Sequence, residues 1–359
     1  MKQKKVFQYG LALVIAAAVV LLLSFKEIIK AGPQFFGYRS KDLFGIYTAQ
    51  LDGRGFTQIL CDPTRELTHA RFSPDGRRIT MTRFNKLLVG GLAEENGSGY
   101  VNTEVLVANA DGSGLRSLVK TGPDVMNANS SWIDNDRLIF IHSPNIKTTL
   151  PELRIINLST GSIERVPTPK NSVASDPTTC NGLVVFPVIA LTNDSRVCNP
   201  LWLMHLDGKG LEQLTAPKIT ATSNQLDFKL GDYDPWFAPD GKTVAFMRYF
   251  GGFDWRIYTV DTTTKKEREL TLPGVGNGIP KWSSDGRLIV YVSWDHSKLE
   301  NLGLYVMNAD GGNKRQLPLP AGFLYTHPSF LPASGSASTA RIIFSARHVP
   351  ALPGSKPVN

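Results

Sequence analysis

Histidine and carboxylate side chains recur at one position of a repeat in this chain, and any chemistry would be concentrated there. Aligned on the residue that usually precedes a proline, six segments present His69, Asn129, Asp176, Asp234, Ile279 and His327. Imidazoles and carboxylates that converge can hold a divalent cation, bind the charged end of a ligand or move protons. His69, His327 and Asp234 are the candidate metal ligands of this set, and Asp232 stands beside it. A plainer use competes with each: an Asp at a turn commonly bonds backbone, and a hydrogen-bonded His is more common than a ligating one. The repeat does not require the two histidines. A second group of candidates is aromatic: Phe253 and Trp255 in the run Phe250–Trp255, with Trp294 and His296 in Trp294–His296. Such side chains stack on sugars or anchor protein partners, or else pack beneath their own loops.

The elements that must position these residues are short strands. Phe72-Ser-Pro-Asp-Gly76, Phe237-Ala-Pro-Asp-Gly241 and Trp282-Ser-Ser-Asp-Gly286 each precede an apolar run, and Asp-Gly between alternating segments signals a hairpin. A second phrase follows: Leu106–Gly112, Leu201–Gly208 and Leu304–Gly311 all close on Asp-Gly. Each unit is therefore four antiparallel strands, named A to D outward from a common axis. Such a sheet must stack on copies of itself, and a period of about 40–60 residues predicts a β-propeller. The A strands fall at His69–Ser73, Asn129–Ile133, Asp176–Cys180, Asp234–Ala238, Ile279–Ser283 and His327–Leu331. Ile46–Gly53 and Phe56–Leu60 form a C–D pair with no A or B strand before it. His327–Leu331 and Arg341–Ala346 form an A–B pair with no C or D strand after it, so the two halves complete a sixth blade and remove a sheet edge. Trp132, Trp236, Trp282, Phe72 and Phe330 recur near one register and read as core between blades.

This pattern, from Ile46 to Ala346, resembles the TolB-type propeller repeat. The α/β domain that precedes the propeller in that family needs upward of about a hundred residues. Only residues 26–45 lie between the apolar leader and the propeller, so a Tol–Pal role does not come with the fold. Some propellers of this kind carry a metal-bound histidine cluster and act on polysaccharides, which the resemblance adds as an alternative.

Val6 to Phe25 is an apolar run of 20 residues, about 30 Å as a helix. Lys2, Lys4 and Lys5 precede it, which sets residues 1–5 in the cytoplasm, 6–25 across a bacterial inner membrane as a signal anchor, and the propeller, 46–348, in the periplasm or outside. Residues 26–45 read as linker and 349–359 as tail. A cleaved signal peptide is the rival, but Ala16–Ala18 lies inside the apolar run. Cys61, Cys180 and Cys198 are expected as free thiols, because Cys180 and Cys198 fall at opposite ends of a strand. Of the net charge of +8, half belongs to residues 2–30, with five Lys against one Glu. The remaining basic residues are interleaved with acids, which argues against nucleic acid as a partner.

Nucleophile elbows, phosphate-binding Gly-Lys loops, His-Glu-x-x-His and Cys-x-x-Cys are all missing from the sequence. Asp111-Gly-Ser-Gly and Asp310-Gly-Gly-Asn lack the downstream carboxylates of a calcium loop and read as turns. The long B-to-C and D-to-A connections gather on one face, at the mouth of the channel that the A strands line. The expected function is a membrane-anchored extracytoplasmic scaffold for a protein, peptide or glycan, with an envelope protein as partner and no cofactor required. The alternative is a polysaccharide lyase or hydrolase, with a divalent metal as its possible cofactor. Alkaline carbonate washing should leave the full-length chain in the membrane pellet; a soluble form shortened at its amino terminus would show cleavage instead.

Overall fold

The computed structural model describes residues 43–84, 102–169, 172–191, 197–223, 229–294, 303–332 and 340–348. The leader and tail lie outside these residues, and among the described ones no helix is long and apolar enough to cross a membrane.

Among the described residues, 25 strands build six antiparallel sheets in the order the hairpin phrases require. Blade 1 is β3 (Glu66–Phe72), β4 (Arg78–Phe84), β5 (Glu104–Asn109) and β6 (Arg116–Ser117). Blade 2 is β7 (Met126–Trp132) to β10 (Ile163–Arg165), blade 4 is β16 (Gly231–Phe237) to β19 (Glu267–Glu269), and blade 5 is β20 (Gly276–Trp282) to β23 (Arg315–Gln316). In blade 3 the innermost strand is split into β11 (Ser172–Ala174) and β12 (Thr178–Cys180), both paired with β13 (Leu183–Ala190). Blade 6 joins β1 (Gly45–Gln50) and β2 (Thr57–Leu60) from the start to β24 (Phe323–Phe330) and β25 (Arg341–His348) from the end in the order β2-β1-β25-β24, so β1 pairs with β25. Their ladder runs without a shift from Gly45↔Ala346 to Gln50↔Arg341. Aromatic rings lock the seam: Tyr47 and Phe56 from one end of the chain meet Phe323, Tyr325 and Phe344 from the other at centroid distances of 5.3–6.4 Å.

The Asp-Gly phrases do the work of turns. Ser73 Oγ donates to Asp75 Oδ1 and accepts from the Arg78 amide, and Gly76 takes φ +68°. Ser283, Asp285, Leu288 and Gly286 repeat the arrangement. The Ser283 hydroxyl, with help from the Arg287 amide and side chain, draws Asp285 down to about 2. At the C-to-D turns glycine is needed for space as well as for φ. A Cβ on Gly112 would sit 2.3 Å from the Ile59 carbonyl oxygen, and one on Gly53 2.2 Å from that of Pro318, each in a neighbouring blade. Asp111 accepts from the amide and hydroxyl of Ser113 within its own turn. No disulfide joins Cys61, Cys180 or Cys198 to another described cysteine.

Two expectations shift. The A strands start about three residues before the predicted positions, because each crosses a bulge that the period-2 pattern does not reveal. Trp236 does not share the register of Trp132 and Trp282. The residue three beyond the ring position in blade 4 is Phe237, and Trp236, two beyond, lies on the axial side of the strand while its flank touches the core between blades 4 and 5.

Gly276 lies beneath Trp294, with 2.1 Å between an added Cβ and the indole. Gly276→Ala should therefore destabilise the fold by roughly 2–3 kcal/mol. Gly161→Ala, where nothing stands within 4 Å, should cost only the strain of its φ of +72°. The denaturant midpoints of the two variants compare them directly.

Candidate functional site

The six aligned residues occupy one backbone state. His69, Asn129, Asp176, Asp234, Ile279 and His327 have φ of 58°, 52°, 40°, 45°, 54° and 48°. In the five unbroken A strands each is the first of two residues opposing a single residue of the B strand. Thr68 pairs with Thr82 and Arg71 with Thr80, so His69 and Ala70 share Met81. The same skip occurs at Ala128/Ser131, Tyr233/Trp236, Gly278/Lys281 and Thr326/Ser329. This is a β-bulge entered in the left-handed region. It accounts for the composition of the motif: Asn, Asp and His tolerate that region better than other non-glycine residues, and a proline fits the second bulge position because its missing N–H leaves no ladder bond unmade. The β-branched Ile279 is the most strained member. The amide of Asn129 is satisfied sideways, by Thr82 Oγ1 of blade 1 at 3.1 Å.

The bulges turn the ring toward the axis, where all six residues are buried. His69 and His327, from neighbouring blades, touch with ring centroids 3.7 Å apart. Each Nδ1 bonds the hydroxyl of the preceding threonine, Thr68 at 2.6 Å and Thr326 at 2.9 Å. The Nε2 of His69 is buried without a partner. Burial, and then the positive groups nearby, hold both imidazoles well below the usual histidine range, so both are neutral at pH 7. Asn129 Nδ2 donates to Asp176 Oδ1 at 2.5 Å, and Ser175 Oγ donates to Asp176 Oδ2 at 3.0 Å. Burial raises the pKa of Asp176, and burial with the neighbouring Asp176 charge raises that of Asp234 to about 7.

A second layer, two residues further along each A strand, escaped the sequence reading. Arg71 of blade 1 and Lys281 of blade 5 both reach the face of Trp236 in blade 4, at 4.8 and 4.4 Å from the ring centroid. Blades 1 and 4 stand opposite each other, so Arg71 spans the channel and the three side chains plug it. Arg71 Nη1 and Lys281 Nζ have no hydrogen-bond partner among the described residues, while the carboxylates of Asp176 and Asp234 stand near enough to favour both charges. Burial and the Arg71 charge lower Lys281 to about 7. The available signal was Arg71 and Lys281 at one repeat position, but alternating strands elsewhere place such residues in solvent. Nearer the mouth, Glu66 of β3 is another buried acid that the sequence reading missed, raised to about 7 by burial against the pull of Arg347.

Other candidates separate from this chamber. Asp232 turns away and is held by Arg248 Nε and Nη2 at 2.6 and 2.9 Å, with Glu267 on the same guanidinium, and so is no part of the site. Trp255 and Trp294 were expected in loops, but they are the first residue of β18 (Trp255–Asp261) and the last of β21 (Leu288–Trp294), both fully buried. Trp255 stacks on Tyr249 at 4.3 Å, and Trp294 covers Gly276 and Gly278. Phe253 is half-buried in the turn between β17 (Thr243–Tyr249) and β18; His296 lies outside the described residues.

A metal centre fits this chamber poorly. Among the described residues no three His, Cys, Asp or Glu side chains converge, and the proposed third ligand, Asp234, belongs to the blade opposite His69. Arg71 and Lys281 already place positive charge in the same space.

No protein-family model and no curated protein matches the sequence. Solved structures do match. TolB from Acinetobacter baumannii superposes with a TM-score of 0.54 at 13% identity, over 84% of this chain and 63% of that one. An oligogalacturonate lyase from Vibrio parahaemolyticus gives 0.51 at 15% identity, over 86% and 87%. At such identities the likeness is one of fold: the described residues form a six-bladed β-propeller like those of these proteins, and the chain spans under two thirds of that TolB chain.

Folded Lys281 releases its proton near pH 7, whereas an unfolded lysine keeps it to about 10.5, so folding expels a proton in that window. Stability linked to Lys281 should therefore rise with pH between about 7 and 10.5. A series of denaturant midpoints across this range should show a flatter slope for Lys281→Met.

Proposed function

We propose that this chain is a membrane-tethered extracytoplasmic binding propeller, which receives a segment of a protein, peptide or glycan at its channel mouth. The carrying observation is a set of buried side-chain atoms from three blades without partners: His69 Nε2, Arg71 Nη1, Asn129 Oδ1 and Lys281 Nζ. Leaving buried polar groups unmade costs about 1–3 kcal/mol each. A protein retains such a cost where a ligand or ordered water completes the bonds. The tether and the compartment rest on the apolar run 6–25 and its preceding lysines. An envelope protein is the partner this placement favours.

A second reading has its own support. A lysine and an aspartate both brought to about 7 inside one chamber are poised for proton transfer, as a lyase or hydrolase acting on a polysaccharide requires. In this reading Lys281 and Asp234 would hold and move protons, with no step routed through a metal.

The double variant His69→Ala/His327→Ala separates the two. Under the binding reading it should weaken partner recovery in membrane cross-linking by no more than about tenfold. Under the enzyme reading the unaltered protein cleaves a polysaccharide, and Lys281→Met or Asp234→Asn, which remove the groups that move protons, should abolish that activity.

A further inference from the structure

Seven Asp-Gly turns and one Asn-Gly turn connect the described strands, and the Asn-Gly turn lacks two bonds that all the others make. In each Asp-Gly turn the glycine N–H donates to the carbonyl three residues before it, as Gly53 does to Gln50 at 2.9 Å and Gly241 to Ala238 at 3.0 Å. In each, Asp Oδ1 also accepts from the amide that follows the glycine, from Arg54 in the first turn to Gly312 in the last, at 2.7–3.1 Å. Asn181-Gly182, the two-residue turn between β12 and β13, makes neither bond among the described residues. Both residues are exposed, and nothing stands within 4 Å of where a Cβ on Gly182 would be.

We infer that Asn181-Gly182 is a site of spontaneous covalent modification, at which the chain converts its own asparagine to isoaspartate and aspartate through a succinimide. Hydroxide removes the Gly182 amide proton, and the nitrogen attacks Asn181 Cγ. The N–Cγ bond forms, the Cγ–Nδ2 bond breaks, and Nδ2 leaves as ammonia after taking a proton from water. A second water opens the ring at either carbonyl. The five-membered ring needs Gly182 N eclipsed with Asn181 Cβ, which for an L-residue means ψ of about −120° at Asn181. Its φ of 50°, with 79° at Gly182, marks a type I′ turn, in which that ψ is about +30°. Rotating the single peptide plane between the two residues converts I′ to II′, the other favoured hairpin turn, and brings ψ to about −120°. No hydrogen bond holds that plane, whereas the next carbonyl, of Gly182, is fixed by the Leu206 amide at 3.0 Å. The reactive geometry is thus reached without opening the hairpin.

A second described Asn-Gly pair shows what the fold withholds. Asn277 is buried in β20 with Nδ2 on the Val275 carbonyl at 2.7 Å, and Gly278 is paired with Val292. The Asp-Gly turns are protected three ways: the glycine N–H is engaged, the side chain is tied, and an ionised carboxylate is a poor electrophile. Modification at Asn181 also reaches the neighbouring blade. Asn181 Nδ2 lies 2.6 Å from where a Cβ on Gly241 would be, so the side chain rests on the blade 4 turn that carries Asp240, and the product sets a new carboxylate there.

The test holds the full-length protein in detergent micelles at pH 6 and pH 8 and follows both asparagines by peptide mapping, with mass-spectrometric fragmentation that separates isoaspartate from aspartate. Conversion at Asn181 should run faster at pH 8, lead Asn277 by at least about tenfold, and give isoaspartate as well as aspartate. In denaturant the lead should vanish, because both pairs are then equally free. No conversion at Asn181, a rate no greater than that of Asn277, aspartate without isoaspartate, or a lead that persists in denaturant would each overturn the inference. Asn181→Gln, which would have to close a six-membered ring, should stop the reaction at this site; the comparison of Asn181 with Asn277 needs no variant and so decides the matter even where that one fails to fold.

Discussion

Everything at the axis depends on the antiparallel ladder between β1 and β25. Six sheets surround a common channel only if the sixth is completed, and it is completed by strands almost 300 positions apart in the chain, from Gly45↔Ala346 to Gln50↔Arg341. Without that pairing blade 6 would expose edges on both halves, and His327 would no longer be held against His69. The interlocking rings of Tyr47, Phe56, Phe323, Tyr325 and Phe344 add apolar burial to the hydrogen bonds, so closure does not rest on the ladder alone.

Within the closed ring, the bulge decides which side chains meet. It places one residue of each A strand in the left-handed region and aims it at the channel. The same device explains the motif and sets its chemical limits: the backbone favours Asn, Asp and His before any ligand does. The layer below, in ordinary extended backbone, is free of that restriction, and it holds the arginine, lysine and tryptophan. The axis is thereby divided between a layer constrained by conformation and one free of that constraint.

The fold was legible because its signals are local and repeated. Phe72-Ser-Pro-Asp-Gly76 and its copies specify hairpins by turn chemistry, and the unmatched strand pairs at Ile46–Leu60 and His327–Ala346 specify how the ring closes. The ring of six could be aligned for the same reason. Contacts across the axis were hidden, since no spacing in sequence says that Arg71 reaches Trp236 in the opposite blade. Nor does a strand pattern show that Asp232 will be captured by Arg248, two strands of one blade turning it away from Asp234. Trp255 and Trp294 were misplaced because the Gly-rich and polar residues next to them resemble loop, whereas large aromatics at strand ends close the core beneath the loops.

The register of the seam also gives the molecule a direction of mechanical weakness. Gly45 and Ala346 face each other at the end of the ladder nearest both chain exits. A pull on residue 43 away from blade 6 would load those pairs one after another, as a zipper opens, instead of sharing the load among all of them as shear along the strands would. The third pair, Tyr47↔Phe344, carries the stacked rings, with centroids 6.3 Å apart, and would be the first point at which peeling stalls. How firmly such a propeller resists a load thus depends on the angle of the pull as much as on the strength of the fold.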